Sequence, residues 1–269
     1  MVKEFSMNEK IRIGALISGG GTNLQAIIDA CESGKIDGEI VFVGSDNPKA
    51  RGLERAGRHG IPTFVADYKA VIKEVRDAPE RIDVPEDFDM NDILSKQSLF
   101  SSEFDSEKMK AFLVTRAIAE AQMLEKMKTY PYDLLVLAGF MRTLTPYFID
   151  RVNTDPKRPH IMNIHPALLP AFPGTDGYGD TFRYGCRIGG CTVHFIDYGE
   201  DTGPIIGQKA FEISEDDTLD TIKKKGLELE WELYPECIRL FARKHLKIVR
   251  VSHTLGNGRT VERNIVKAQ

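Results

Sequence analysis

The sequence IRIGALISGGGTNLQAII, residues 11–28, contains the transition on which the fold depends. Its first seven residues form a short apolar run, which is typical of a buried strand. The run ends at residues 18–21 (SGGG), and apolar side chains then return at helical spacing, at Leu24, Ile27 and Ile28. A strand, a glycine loop and a helix in this order form the opening unit of an α/β fold.

The glycine loop also predicts a ligand. Glycine lets the backbone approach a bound group closely, and the helix that follows directs free N–H groups at an anion. Leu24 stands where a dinucleotide-binding fingerprint has its third glycine, and no Walker lysine follows. The loop therefore favours a phosphate over a dinucleotide, the alternative being a glycine turn without a ligand.

Outward from this unit, strand and helix patterns alternate along the chain. Strands are predicted at 40–43, 62–65, 134–138, 160–164, 191–196 and 204–213, and helices at 50–58, 106–128 and 218–243. The tail, 247–266, alternates around Gly256-Asn257-Gly258, which indicates a hairpin. We expect a Rossmann-like α/β fold with an open, mostly parallel twisted sheet, helices on both faces and a C-terminal hairpin.

The stretch from about residue 68 to 104 interrupts this alternation. Nine acidic residues and only two basic ones, Arg81 and Lys96, lie between positions 79 and 107. Loops of this length are uncommon inside compact domains, so we predict a solvated acidic insertion. It is either a tolerated surface excursion or an interaction surface.

Composition excludes several classes of protein. The chain has 269 residues, 42% hydrophobic and 28% charged, with a formal net charge of −4, so no basic excess points to nucleic acid. It has no run of 18 apolar residues, and residues 1–10 lack the apolar region of a signal peptide, so we expect a cytoplasmic protein that does not bind membranes. We expect reduced, mostly buried thiols rather than a zinc site, because the His160/His165 pair precedes the Cys186/Cys191 pair, the reverse of zinc-finger order.

Three polar residues follow or end predicted strands. Asn163 and His165 lie two apart at the end of one strand, so they share a side if the chain stays extended. An amide donor beside an imidazole suits stabilisation of an oxyanion. Asp201 precedes a Gly-Pro turn; it is either a turn former or a carboxylate that raises the pKa of His165 and orients its ring.

The order of several motifs resembles one family. The motifs are ISGGGTNLQ (17–25), GLERA (52–56), LAGFMR (137–142), NIHPALLP (163–170), VHF (193–195) and DTGPII (201–206). Together they resemble the phosphoribosylglycinamide (GAR) formyltransferase family of folate-dependent enzymes, over about residues 11–67 and 105–245. The resemblance implies one formyltransferase domain over residues 1–269. Its nucleotide half would be 11–130, its folate-binding and catalytic half 131–245, and its hairpin 246–269.

The resemblance also implies roles for site residues. Asn163, His165 and Asp201 match the catalytic trio. The residues that match the phosphate, substrate and folate sites are Gly21, Thr22 and Asn23 (phosphate), Gly139, Pro166 and Glu230 (other substrate contacts), and Leu137, Phe140, Met141, Arg142, Leu144, Asp197 and Tyr198 (folate).

The implied reaction moves a formyl group from 10-formyltetrahydrofolate to the amine of glycinamide ribonucleotide, without a metal. Small-molecule substrates would be its partners, and the protein would be a monomer or homodimer. Alternatives are a 10-formyltetrahydrofolate hydrolase, a methionyl-tRNA formyltransferase and a non-catalytic folate- or nucleotide-binding protein. The acidic balance and short tail oppose the tRNA enzyme. The sequence departs from the family in the acidic insertion, in the longer hairpin and at residues 175–180, where a histidine is usual.

Overall fold

The computed structural model describes residues 10–78, 83–100, 103–155 and 157–268. The strands are β1 (Ile11–Ile17), β2 (Gly38–Ser45), β3 (Thr63–Val65), β4 (Leu134–Leu137), β5 (Ile161–His165), β6 (Ile188–Phe195), β7 (Ile205–Glu212), β8 (Leu246–Thr254) and β9 (Thr260–Ala268). The helices are α1 (Thr22–Glu32), α2 (Arg51–Arg58), α3 (Tyr68–Asp77), α4 (Met90–Lys96), α5 (Ser106–Met127), α6 (Pro146–Val152), α7 (Gly177–Tyr184) and α8 (Leu219–Ala242).

Seven strands form one sheet in the order β3-β2-β1-β4-β5-β6-β7. The first five of these are parallel, as predicted. The chain moves outward from β1 to β3 and then returns to place β4 on the other side of β1, so the strand order reverses between β1 and β4. Ligands of open α/β sheets bind at the carboxyl ends of strands at such a reversal.

Strands β6 and β7 run antiparallel and complete the sheet. In the β5–β6 register, His165 at the end of β5 faces Thr192, whereas Phe195 at the end of β6 faces Met162 near the start of β5. The segment 196–204, which we call the β6–β7 link, therefore leaves the sheet near the amino end of β5. It must fold back to reach residues at the carboxyl end.

Two apolar clusters cover the two faces of the sheet. On one face, side chains of α1 and α8, such as Leu24 and Ile238, pack against β1 and β4. On the other face, Met123 of α5 and Phe148 of α6 are fully buried. Because both faces are covered, β4 is apolar throughout and β1 is apolar except for Arg12, and neither strand alternates, which is why they were recognisable in the sequence.

The acidic segment contains helices, which the prediction of a solvated insertion missed. Helices α3 and α4 lie within it, and α5, which was predicted, follows it. Asp67, Asp89 and Asp105 directly precede α3, α4 and α5, and each aspartate accepts hydrogen bonds from two backbone N–H groups of its helix. Part of the acidity therefore serves as helix caps. Ile93 of α4 is buried against α5, so this part of the segment packs on the domain. Residues 79–82, which include Glu80 and Arg81, lie outside the described residues.

The C-terminal hairpin forms as predicted, with β8 and β9 antiparallel. Leu246, Ile248 and Val266 attach it to the core. All four cysteines are free, and burial raises the pKa of both Cys191 and Cys237 to about 12. No helix in the described parts of the chain is long and apolar enough to span a bilayer.

Candidate active site

A cavity of about 410 Å³ opens at the carboxyl ends of β1, β4 and β5. Asn23 lines it from the start of α1, Gly139 and Phe140 from the segment after β4, and Glu230 from α8. Asn163, His165 and Asp201 line the same cavity. The structure therefore brings together side chains from distant parts of the chain at the point where the strand order reverses.

His165 is held between two acceptors. Its Nδ1 lies 3.1 Å from Asp201 Oδ2, and its Nε2 lies 2.8 Å from the carbonyl oxygen of Phe172. A ring nitrogen can face an acceptor only if it carries a proton, so this geometry fits the imidazolium form. Burial lowers the pKa of His165, but the hydrogen bond and charge of Asp201 outweigh burial, and the net shift is upward.

Asp201 is the counter-ion of this imidazolium. Burial opposes its ionisation, but hydrogen bonds from His165, His194 and the Gly174 N–H outweigh burial and hold its pKa well below the ordinary value. Its backbone has a φ of 53°, a left-handed conformation that is uncommon for a residue other than glycine. Surrounding contacts must hold such a conformation, because it costs on the order of 1–3 kcal/mol.

Asn163 pairs with a residue that the sequence analysis did not assign, His194. The β5–β6 register sets the two opposite one another, and Asn163 Nδ2 lies 3.2 Å from His194 Nε2. His194 Nε2 also lies 3.5 Å from Asp201 Oδ1, and its Nδ1 lies 2.9 Å from the Phe195 carbonyl oxygen. The Asn163 amide has two N–H groups, so one of them can still serve a ligand. The VHF motif (193–195) contains His194, but its contact with Asn163 follows from the antiparallel pairing, which the sequence does not reveal.

The glycine loop carries free backbone donors. Gly21 precedes α1 with φ 71° and ψ 34°, and no side chain caps the helix. A Cβ at Gly21 would lie 2.7 Å from Gly52 Cα, so the two loops meet through glycine. Asn23 lines the main cavity, whereas Thr22 lines a neighbouring groove with Arg55. The first N–H groups of α1 are thus free to bind an anion.

Glu230 is a buried carboxyl group next to this loop. Its Oε2 accepts from Asn23 Nδ2 and its Oε1 from the Tyr178 hydroxyl, both at 2.6 Å. Burial raises its pKa more than these hydrogen bonds lower it. The Oδ1 of Asn23 is buried and has no hydrogen-bond partner among the described residues. Tyr178 belongs to α7, which was not predicted and which includes most of the stretch where the family usually has a histidine.

All but one of the residues matched to the folate site line the cavity. They are Leu137, Phe140, Met141, Arg142, Leu144 and Asp197, and Gly139 and Pro166, matched to other substrate contacts, line it too. The Tyr198 side chain turns elsewhere: its hydroxyl donates to Asp150 Oδ1 at 2.5 Å, and the residue does not line the cavity.

A second arginine near this segment was missed. Arg142 donates to Asp46 at 2.5 Å, and the guanidinium carbons of Arg116 and Arg142 lie 5.4 and 5.8 Å from the ring centroid of Tyr68. Nε and Nη1 of Arg116 are buried without a hydrogen-bond partner among the described residues. Arg116 lies on α5, which is only weakly amphipathic, so the sequence gave no indication that this arginine would be buried beside Tyr68.

The fold and this site define a class of α/β enzyme with a buried imidazole–carboxylate pair in a cavity that also reaches a glycine loop at the carboxyl edge of the sheet. Within that class, the chain belongs to the formyl transferase family, whose model matches residues 11–238. The resemblance seen in the sequence is thereby confirmed.

Named relatives agree with this assignment. The chain is 31% identical to phosphoribosylglycinamide formyltransferase of Bacillus subtilis, covering 85% of this chain and 93% of the relative. It is 32% identical to the enzyme of that name from Escherichia coli, covering 88% and 90%. The crystal structure of glycinamide ribonucleotide transformylase 1 from Symbiobacterium toebii matches with a TM-score of 0.69 and 34% identity, covering 97% of this chain and 95% of that one.

Proposed function

We propose that the protein transfers the formyl group of 10-formyltetrahydrofolate to the amine of glycinamide ribonucleotide, a step of purine biosynthesis. The observation that carries the proposal is the Asp201–His165 ion pair, which lies beside Asn163 in a cavity that also reaches the start of α1. The family membership and the names of its relatives support the same reaction. Because both halves of the chain line the cavity, we infer that they act as one catalytic unit.

His165 and Asn163 would stabilise the oxyanion that develops when the amine attacks the formyl carbon. The imidazolium Nε2–H, now bonded to the Phe172 carbonyl, would turn to the formyl oxygen, and the free N–H of Asn163 would donate beside it. Each such donor is worth about 10²–10³ in rate when it is aligned with the developing charge.

Asp201 would keep His165 protonated and receive the proton of the attacking amine through water. The proton would then pass to the folate nitrogen that leaves. The low pKa of Asp201 keeps it ionised until it takes this proton, and its hydrogen bond to the Gly174 N–H ties it to the loop before α7. The chemistry supplied by the co-substrate is an activated formyl group; the chain's residues position it and move protons.

Gly21, Thr22 and Asn23 would bind the ribose phosphate through the free N–H groups of α1. Glu230, Gly139 and Pro166 would line the path of the glycinamide part. Asn23 Oδ1 is buried and has no hydrogen-bond partner among the described residues. This supports binding of the ribonucleotide here, since an N–H or O–H group of the ligand would satisfy that oxygen.

The segment 137–144 would hold the folate, with Leu137, Phe140 and Leu144 forming an apolar wall and Met141, Arg142, Asp197 and Tyr198 nearby. Arg116 and Arg142 fit the anionic end of this co-substrate, because both guanidinium groups lie near the Tyr68 ring and two buried donors of Arg116 lack a partner among the residues that the structure describes. The co-substrate thus fits the residues present.

The alternative is hydrolysis, in which water takes the formyl group. The two are separated by following tetrahydrofolate formation with and without glycinamide ribonucleotide. We expect turnover only with the amine; equal turnover without it would assign the hydrolase. Absence of turnover in both assays, with tetrahydrofolate still binding, would assign a non-catalytic binding protein. We further expect a cytoplasmic monomer or homodimer.

A further inference from the structure

We propose that Lys96, Ser98 and Asp150 are positioning residues that hold the β6–β7 link, and with it Asp201, in its reactive geometry. This inference rests on the proposed function, because it concerns the same site. It gives the acidic segment a role in catalysis, whereas the sequence left open a surface excursion or an interaction surface.

Asp150 of α6 connects the acidic segment to the link. Its Oδ2 lies 2.8 Å from Lys96 Nζ, at the end of α4, and its Oδ1 accepts the Tyr198 hydroxyl at 2.5 Å. The Lys96 and Asp150 side chains are 34% and 31% exposed, so the pair is partly shielded from water. One carboxylate thus joins a helix of the insertion to the link that carries a catalytic residue.

A backbone contact joins the same two segments. The Ser98 N–H donates to the Tyr198 carbonyl at 3.0 Å. A Cβ at Gly199 would lie 2.9 Å from Ser98 Oγ, so the link approaches residue 98 closely. The insertion therefore contacts the link directly through the Ser98 backbone and indirectly through the Lys96–Asp150 ion pair.

The link is stiff enough to pass this support on to Asp201. Asp197 Oδ1 accepts the Thr202 hydroxyl at 2.6 Å and the Gly199 N–H at 3.1 Å, which closes the link on itself around residue 201. Support at Tyr198 is therefore three residues from Asp201 and lies within a single hydrogen-bonded loop.

Support from outside is needed for two reasons. The link leaves β6 near the amino end of β5 and must fold back, so the sheet itself does not direct it at His165. Asp201 also has a left-handed backbone, which persists only where neighbouring contacts hold it.

The test uses Asp150→Ala, Asp150→Asn and Lys96→Met, with Lys110→Met as the matched control. Lys110 also sits on a helix and pairs with a carboxylate at 3.0 Å, but on the solvent-exposed side of α5. We expect Asp150→Ala to weaken tetrahydrofolate binding and raise the KM for 10-formyltetrahydrofolate about five- to tenfold, the effect of losing one or two hydrogen bonds. The KM for glycinamide ribonucleotide should change less than about twofold.

Asp150→Asn keeps an acceptor for the Tyr198 hydroxyl, so it should weaken tetrahydrofolate binding less than Asp150→Ala does. Lys96→Met should also weaken this binding less than Asp150→Ala. The pH profile is a further readout: a loosened link holds Asp201 less firmly on His165, so the alkaline limb of kcat/KM should move to lower pH. If these residues had a purely structural role, the variants would have lower thermal stability but an unchanged alkaline limb of kcat/KM.

Unchanged tetrahydrofolate affinity and an unchanged alkaline limb in folded Lys96→Met and Asp150→Ala would overturn the inference, as would equal effects in Lys110→Met. Should Asp150→Ala fail to fold, Lys96→Met and Tyr198→Phe test the same contacts. Failure of the wild-type protein to formylate glycinamide ribonucleotide would overturn the proposed function alone, because tetrahydrofolate binding by the variants still tests the positioning.

Discussion

Among the loops around this cavity that hold a positive-φ residue, two do so in different ways. In the loop after β1 the residue is Gly21, with φ 71°, and the loop offers backbone N–H groups. In the β6–β7 link it is Asp201, with φ 53°, and the link offers a carboxylate. Where the backbone alone serves, glycine adopts the conformation without strain. Where a charged side chain is required, as at Asp201, the left-handed backbone is strained, so contacts with neighbouring residues must stabilise it.

The largest expected effect concerns His165, the residue with which Asp201 of the β6–β7 link forms an ion pair. His165→Ala should lower kcat by about 10²–10³, because it removes the imidazolium donor, while the KM for glycinamide ribonucleotide changes little. Steady-state kinetics check this, with His253→Ala on the exposed hairpin as the control. A near-normal kcat would remove His165 from the mechanism.

A second pair of variants separates the charge of Asp201 from its strain. Asp201→Asn and Asp201→Ala should both lower kcat by roughly 10²-fold or more, since neither keeps His165 protonated. Asparagine tolerates the left-handed region better than alanine, so we expect Asp201→Ala to unfold more easily by about 1 kcal/mol. Denaturant titrations measure the difference; equal stabilities would mean that the strain is not significant.

Changes in the glycine loop after β1 should weaken substrate binding more than they slow the chemical step. Gly21→Ala introduces a Cβ 2.7 Å from Gly52 Cα at a φ of 71°, so the loop must shift and its N–H groups lose alignment. We expect the KM for glycinamide ribonucleotide to rise about tenfold with a smaller change in kcat. Gly34→Ala is the control, because Gly34 has a φ of 73° but open space around its Cβ position. A rise in KM in both variants would contradict the role of the loop.

The smallest effect concerns stability against pH. The raised pKa of His165 adds stability below its ordinary value of 6.5 that is lost as the pH rises through the folded-state pKa. The lowered pKa of Asp201 adds stability above its ordinary value of 3.8 that is lost as the pH falls through the folded-state pKa. The Tm difference between wild type and Asp201→Asn should therefore be largest between about pH 4 and 6.5 and shrink at alkaline pH. A difference that grows above pH 8 would contradict the ion pair.

The same contrast explains what the sequence could predict. The loop after β1 is local: a strand, three glycines and a helix follow one another, so 18 consecutive residues indicated the fold and predicted an anion site. Strands β1 and β4 are buried on both faces and appear as apolar runs, interrupted in β1 only by Arg12. The residues of the trio were identified by their motifs.

The rest depended on contacts between distant segments. The antiparallel entry of β6, which pairs Asn163 with His194 and makes the link fold back, has no local pattern. Helix α4 has seven residues and gains its order by burying Ile93 against α5, although its capping Asp89 could have been recognised. The direction of the Tyr198 side chain follows from Asp150, 48 positions away.

The thiols described above have a practical consequence for following the enzyme at work. Cys191 and Cys237 are shielded inside the core, whereas Cys186 is half-buried and comes directly after Gly185, which ends α7. With Cys31 replaced by serine, a fluorescent dye on Cys186 would report on the helix that carries Tyr178. Substrate arrival could then be timed separately from the chemical step.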